Sequence, residues 1–302
     1  MEYTSPDWTL RQSWCARMMR QLRLNEKVEF SVGPKVTIRF YADCRPNALQ
    51  TSKLQKGGVL VFNGMELVEE GLGIGAPICL YGDGARFSLN ATTFVNDSSD
   101  LSVIKIYSMS AMESKRFRGA NIRHGGYAAQ FLRSLEKAYR GIRSLQLGAT
   151  AMLRVVSMMG LRNEYVEGRS KGQIAVTYQP SNGGLVVNVD FHNIETDDLR
   201  SLILGNEQGG RLFTNYSDSS GVKMSGREIE PWKPTSAECA TLFCPGTGVG
   251  FRLRRPSGWQ IVRGREVVTS RISWAGLNLK RDTFPTSKTV RYSVKVFRGS
   301  SI

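Results

Sequence analysis

The sequence predicts a mainly β protein, a large antiparallel two-sheet sandwich with an N-terminal helix and one or two helical insertions. Three observations lead to this prediction. Beyond residue 27, most of the chain alternates apolar and polar residues in runs rich in Val, Ile, Phe and Tyr. Clusters of Gly, Pro, Asn, Asp and Ser separate these runs, which favours a sandwich over alternating strands and helices. No flexible linker interrupts the sequence, so we expect a single domain over residues 1–302.

The elements follow from the period of the apolar residues. The segment 1–27 is predicted to be helical, because a Ser-Pro start precedes apolar residues near helical spacing from Trp8 to Leu22. Residues 127–143 repeat apolar side chains on one helical face and form the predicted helical insertion. Residues 144–171 fit a strand or a short helix. The predicted strands, in chain order, are VEFSV, KVTIRFY, GGVLVF, APICLY, SVIKIY, GQIAVTY, GLVVNVDF, GFRLR, WQIV, SRISW and VRYSVKVF.

The net charge indicates which classes of partner the protein can attract. The chain has 41 Lys and Arg against 26 Asp and Glu, a formal charge of +15, which attracts polyanions such as nucleic acid. The cations are nevertheless spread along the chain, with no basic block and no known nucleic-acid motif. Because no apolar run is long enough to cross a bilayer and the start lacks the features of a secretory signal, we expect a cytoplasmic protein without membrane contact.

Metal ions and organic cofactors are not expected. The five cysteines are scattered without a C-x-x-C spacing, and two histidines are too few for a His-rich site. The glycines between residues 71 and 75 match neither a dinucleotide fingerprint nor a phosphate-binding loop. Buried thiols are the better interpretation of the cysteines.

One predicted strand carries a row of polar side chains. After a turn at residues 180–184, strand alternation places Asn188, Asp190 and His192 on one face. An amide, a carboxylate and an imidazole held on rigid backbone suit a sugar-binding or acid/base row. The alternative is that this is the solvent face of an antiparallel strand.

A second candidate follows the apolar run at residues 202–204. Asn206 and Glu207 come next, and Gly209 with Gly210 allows the backbone to turn abruptly. The carboxylate of Glu207 is thus predicted at the rim of a sheet, where burial would raise its pKa and suit it to general base catalysis. Alternatively, it only accepts backbone N–H groups in the turn.

A third candidate combines tryptophan with arginine near the C terminus. Trp274 follows Arg265, and aromatic faces stack on pyranose rings while guanidinium groups hold hydroxyls or carboxylates. Tryptophan in a β core is the alternative interpretation.

Residues 170–302 contain four characteristic stretches in succession: GQIAVTYQPSNGGLVVNVDF, the turn-bounded glutamate, GFRLRRPSGWQIV and SKTVRYSVKVF. This succession resembles the galactose-mutarotase-like β-supersandwich superfamily. The resemblance implies a large β domain that binds a sugar on a concave face and uses a histidine and a glutamate as acid and base. It implies acid/base roles for Glu207, Asp190 and His192, and binding roles for Asn188, Arg265 and Trp274.

The sequence therefore favours a carbohydrate-binding or carbohydrate-active protein that needs no metal or organic cofactor. If it is an enzyme, we expect an epimerase-like or mutarotase-like proton transfer at an anomeric centre or next to a carbonyl. The alternative is a non-catalytic basic protein that binds nucleic acid or another polyanion. A third interpretation is that the polar rows only solvate the sheets. The sequence does not specify the oligomeric state.

Overall fold

The structure is a computed structural model that describes residues 19–23, 25–42, 56–69, 71–88, 91–97, 101–118, 162–267, 273–282 and 287–299. Within these ranges it contains strands and one 3-10 helix, η1. The elements are β1 (Arg20–Gln21), β2 (Lys27–Gly33), β3 (Val36–Tyr41), β4 (Val59–Phe62), β5 (Met65–Glu66), β6 (Gly73–Tyr81), β7 (Gly84–Arg86), β8 (Ala91–Asn96), β9 (Ser102–Arg118), β10 (Arg162–Ser181), β11 (Gly184–Ile194), β12 (Leu199–Gln208), β13 (Asn215–Asp218), β14 (Lys223–Ser225), η1 (Gly226–Ile229), β15 (Lys233–Thr235), β16 (Cys239–Cys244), β17 (Val249–Arg254), β18 (Gln260–Val267), β19 (Ser273–Arg281) and β20 (Thr289–Arg298).

These strands form three antiparallel sheets in a sandwich-like arrangement, which confirms the predicted fold class. The largest has ten strands in the order β1-β8-β9-β10-β11-β20-β17-β16-β13-β14. A six-stranded sheet has the order β15-β18-β19-β12-β6-β7, and a four-stranded sheet runs β2-β3-β4-β5. Both larger sheets also pair non-consecutive strands, such as β12 with β19 and β6, so residues far apart in sequence become neighbours.

The predicted N-terminal helix is wrong over the part of it that can be compared. Arg20–Gln21 is a strand that pairs with β8, and β2 already begins at Lys27. The cause is tertiary, because pairing with a neighbouring strand satisfies these backbone groups and overrides a helical apolar period. Residues 1–18, and with them most of this prediction, lie outside the described residues. The predicted insertion at 127–143 lies outside them as well.

Strand alternation creates the shared core. On β11 the odd-numbered residues from Leu185 to Phe191 are buried, and on β19 Ala275, Leu277 and Leu279 are buried. The core cluster combines apolar residues from all three sheets. Each sheet therefore has an inner face toward this core and an outer face, and the candidate residues divide between these faces.

A bulge in β6 lets two sheets approach closely. Gly205 pairs with Ala76 and Asn206 with Ile74, which leaves Gly75 unpaired. Gly75 has φ of 83°, and a Cβ on it would lie 2.8 Å from a ring carbon of Tyr178 in the ten-stranded sheet. Only glycine fits both the backbone angle and the space.

Candidate functional site

The outer face of the six-stranded sheet contains one side chain in a row of glycines. Glu207 on β12 pairs with Gly276 on β19 and with Gly73 on β6, and Gly276 pairs with Gly264 on β18. We call these four positions the glycine row. Since the glycines carry no side chains, Glu207 is the only side chain in this row.

An indole ring lies across the row. A Cβ on Gly264 would come within 2.2 Å of Trp232 Cδ2, and a Cβ on Gly276 within 3.0 Å of Trp232 Cη2. The same Cβ on Gly276 would lie 2.8 Å from Glu207 Cγ. Trp232 thus occupies the space that side chains would fill, and its six-membered ring extends toward Glu207.

The carboxyl group of Glu207 is held by two donors. Asn278 Nδ2 donates to Oε1 at 2.9 Å, and the backbone N–H of Leu72 donates to Oε2 at 3.1 Å. Glu207 is only 8% exposed. Burial raises the pKa of this carboxyl above its usual range, and the charge of Glu266 raises it further, whereas the two hydrogen bonds act in the opposite direction. A carboxyl group with this raised pKa is suited to hold a proton and donate it.

A second carboxylate lies on the same outer face. Glu266 is exposed on β18, two residues beyond Gly264 and directly opposite Trp274 on β19. Two strand spacings and two residues of rise separate the Cα atoms of Glu266 and Glu207 by about 12 Å. Two carboxyl groups in unlike environments, one buried and one in solvent, can divide the roles of acid and base between them.

Two other sequence candidates in this sheet point away from this face. Asn206 is fully buried, accepts the hydroxyl hydrogen of Tyr292 at 3.1 Å, and donates to the carbonyls of Leu204 and Leu277. It joins the two larger sheets across the core.

Arg265 is the second sequence candidate that points away from the outer face of the six-stranded sheet. It donates from Nε to the carbonyl of Gly210 at 2.6 Å, and its Nη1 contacts Glu230 at 2.7 Å. Its alternation with Gly264 places it on the inner side of β18. Through these contacts Arg265 holds the segment after η1 against the sheet.

The remaining candidates lie on the ten-stranded sheet. Asn188, Asp190 and His192 share the outer face of β11, as the alternation predicts. Asp190 Oδ1 accepts from the backbone N–H of His192 at 2.9 Å and lies 2.6 Å from its Nδ1. The structure therefore brings Asp190 and His192 together but places them on a different sheet from Glu207.

Three parts of the glycine-row site were not predicted from the sequence. Trp232, Asn278 and the N–H of Leu72 contact Glu207 or its glycine neighbours across strands that are distant in the chain. The glycines at 264 and 276 carry the only signal, and it becomes readable once the register of β18 and β19 is known.

Two surface cavities lie in other parts of the structure, and neither is lined by Glu207. One of about 250 Å³ is lined by residues of β13, β14, β16 and η1, including Lys223, Glu228 and Phe243. Another of about 570 Å³ lies between the β2–β3 turn and the end of β20. Within the described ranges, no group of three or more His, Cys, Asp or Glu side chains could hold a metal ion. Among the described residues, no helix is long and apolar enough to span a membrane.

Comparisons with known proteins add no functional assignment. No family model matches the chain, and no curated protein matches it. Among solved structures, the chain is similar to the Slr1438 protein from Synechocystis sp. PCC 6803, with 8% identity and a TM-score of 0.39 over 91% of this chain and 98% of that one. A likeness at that TM-score is too low to carry an inference about function.

Proposed function

We propose that this protein binds a sugar-like polyhydroxylated ligand on the outer face of its six-stranded sheet and transfers protons to and from it. The observation that carries the proposal is the carboxyl group of Glu207, which is buried, held by two donors and the only side chain in the glycine row. In this proposal Glu207 is the proton donor. Glu266, exposed on the same face, is the proton acceptor.

Two tryptophans support a sugar as the ligand. Trp232 and Trp274 are both partly exposed and flank the two carboxyl groups. Sugar rings have apolar faces that pack on aromatic rings, and hydroxyl edges that need fixed donors and acceptors. Ring-face stacking together with two carboxyl groups fits such a ligand better than a purely apolar one.

The proposed reaction is the opening and closing of a cyclic sugar. Glu207 protonates the ring oxygen while Glu266 takes the proton of the anomeric hydroxyl, so the carbon–oxygen ring bond breaks as a carbonyl forms. Closing on either face of that carbonyl returns both protons. The resemblance to the mutarotase-like superfamily implies a histidine as acid and a glutamate as base. The proposal instead makes Glu207 the acid and Glu266 the base, because His192 lies on the other sheet.

The test begins with a thermal-shift screen against aldohexoses, aldopentoses, uronates and sugar phosphates. A ligand at 100 times its dissociation constant stabilises the fold by about 2.7 kcal/mol, which is readily measured. Polarimetry of the stabilising sugars then measures interconversion of their anomers. We expect Glu207→Gln to keep the thermal shift and lower the rate by a factor of about 100 or more, because it removes the donated proton and little bulk.

The matched variants separate the two carboxyl roles from a general charge effect. Glu266→Gln should lower the rate in the same way, whereas Glu238→Gln removes an exposed glutamate from a loop before β16 and should change nothing. If no sugar stabilises the protein, or if Glu207→Gln turns over at the normal rate, the proposal is wrong.

A further inference from the structure

Four cations converge on the outer face of the ten-stranded sheet. Arg252 and Arg254 on β17, and Arg291 and Lys295 on β20, are exposed and alternate with buried core residues. Arg252 pairs directly with Lys295 across the two strands. We call these four side chains the basic face.

The charges of the basic face are not held in ion pairs. Within the described part of the chain, none of the four cations forms an ion pair with a carboxylate. Arg252 donates from Nε to the hydroxyl of Thr241 at 3.1 Å, which fixes its orientation without cancelling its charge. Four cations that are not held in ion pairs, on neighbouring strands, repel one another and attract an anion that bridges them.

A polar row leads from the basic face to a cavity. The register joins Lys295 and Arg252 to Thr241 on β16, then to Ser217 on β13 and Lys223 on β14. The last three residues line the cavity of about 250 Å³ on the same face. Charge and hydroxyl groups thus continue across five adjacent strands.

Aromatic rings accompany the cations. Phe297 follows Lys295 on β20 at the next outward position and is partly exposed. The Arg252 guanidinium lies 5.9 Å from its ring centroid, and Phe243, which lines the cavity, stacks on Phe297 with centroids 6.3 Å apart. Guanidinium groups and aromatic rings in a cationic track are the groups on which unpaired bases stack.

We infer that the basic face and the adjoining cavity bind single-stranded nucleic acid. The cations neutralise the phosphates, the hydroxyl group of Ser217 bonds to polar groups of the nucleic acid, and a base enters the cavity beside Phe243. A duplex stacks the faces of its bases on one another, so no base can enter the cavity, whereas a single strand uses both the charges and the cavity. The overall charge of +15 raises the local concentration of such a strand near the protein.

This site is independent of the proposed sugar site, since it lies on another sheet and shares no residue with it. The two are tested with different variants. Glu207→Gln should bind nucleic acid like the unaltered protein, whereas loss of the basic face should leave any sugar-induced thermal shift in place.

The experiment measures binding of a fluorescent 20-nucleotide oligothymidylate and oligouridylate to the full chain by anisotropy between 50 and 300 mM KCl. The test variant is Arg252→Gln, Arg254→Gln, Arg291→Gln and Lys295→Gln combined. We expect its affinity in 100 mM KCl to fall by about tenfold or more. The slope of log affinity against log salt should become less negative by about 3, because each lost phosphate contact contributes about 0.7 to the slope for a single strand.

The matched control removes four exposed cations elsewhere, Lys27→Gln, Lys35→Gln, Arg200→Gln and Lys233→Gln, so both variants lower the formal charge from +15 to +11. The control should bind within about threefold of the unaltered protein. A smaller variant, Ser217→Val, should weaken binding without changing the slope. Thermal unfolding of each variant checks that the fold is intact.

Three results would overturn the inference. Equal weakening by both quadruple variants would mean that only net charge matters. Equal or tighter binding of a duplex would exclude a role for exposed bases. Binding to anionic phospholipid vesicles but not to either oligonucleotide would identify a membrane surface as the occupant.

Discussion

At the residue scale, the proton on Glu207 links stability to pH. Burial raises the pKa of this carboxyl, so the folded protein holds the proton more tightly than the unfolded chain does. The resulting stabilisation is complete below the unfolded pKa of about 4.3 and is lost as pH rises through the folded pKa. Glu207→Gln resembles the protonated form, so the variant should gain stability relative to the unaltered protein as pH increases.

Urea unfolding between pH 4 and pH 8 measures the difference in unfolding free energy between Glu207→Gln and the unaltered protein. Because the proton stabilises the folded state only while Glu207 holds it, this difference should change in favour of Glu207→Gln as pH rises. Glu238→Gln serves as the exposed control, and its curve should run parallel to that of the unaltered protein. Parallel curves for Glu207→Gln would show that Glu207 has no raised pKa.

Sequence reasoning at this scale identified the carboxyl group but not its surroundings. The glycines after Glu207 and the apolar run before it predicted a glutamate at the rim of a sheet with a raised pKa. Its donors are Leu72 and Asn278, which are 135 and 71 residues away in the chain. No local pattern encodes contacts at that separation, because they depend on which strands become neighbours.

At the element scale, the glycine row makes a packing prediction. Gly264→Ala would place its Cβ 2.2 Å from Trp232 Cδ2, so the indole ring must move. Overpacking of this kind costs about 1 to 3 kcal/mol. In a Trp232→Ala background the same substitution should cost much less, since the obstructing ring is absent, and a double-mutant cycle by urea unfolding measures the coupling.

A glycine in open space provides the control for this cycle. A Cβ on Gly33 in β2 would meet no atom within 4 Å, so Gly33→Ala should stay within about 0.5 kcal/mol of the unaltered protein. If Gly264→Ala costs the same with and without Trp232, the indole ring does not pack on the row.

Strands with one buried face were predicted from the sequence, whereas a strand buried on both faces was missed. The run VRYSVKVF matches β20, whose burial alternates regularly. The run CATLFC, now β16, was missed because five of its six residues are buried and no alternation marks it. Arg20–Gln21 was predicted to be helical because the spacing of apolar residues does not reveal its pairing with β8.

At the scale of the whole molecule, the sheets are tied together by polar as well as apolar contacts. The Tyr292 hydroxyl on β20 reaches Asn206 on β12, and the Phe191 ring on β11 stacks on Trp259 beside β18, with centroids 6.2 Å apart. Lys105 on β9 is buried and donates to the carbonyls of Tyr41 and Lys56. These contacts join the ten-stranded sheet to the six-stranded sheet and the segment before β18. They also join it to the end of β3 and the segment before β4 in the four-stranded sheet.

The predicted single domain can be tested by unfolding. Trp232, Trp259 and Trp274 all lie in or beside the six-stranded sheet, whereas the ten-stranded sheet contributes most of the strand signal in circular dichroism. Because the sheets share one core cluster, loss of either sheet exposes the inner face of the other. Both probes should therefore give the same midpoint and the same slope in urea.

The measurement uses a Trp8→Phe, Trp14→Phe variant, so that fluorescence reports only the three tryptophans at the six-stranded sheet. Coincident transitions would establish cooperative unfolding of the two large sheets, with the ties at Tyr292 and Phe191 strong enough to couple them. Separate midpoints would mean that the six-stranded sheet unfolds as its own unit. In that case the sugar site proposed on it and the nucleic-acid site inferred on the other sheet belong to units of different stability, and a ligand for one would raise only that unit's midpoint.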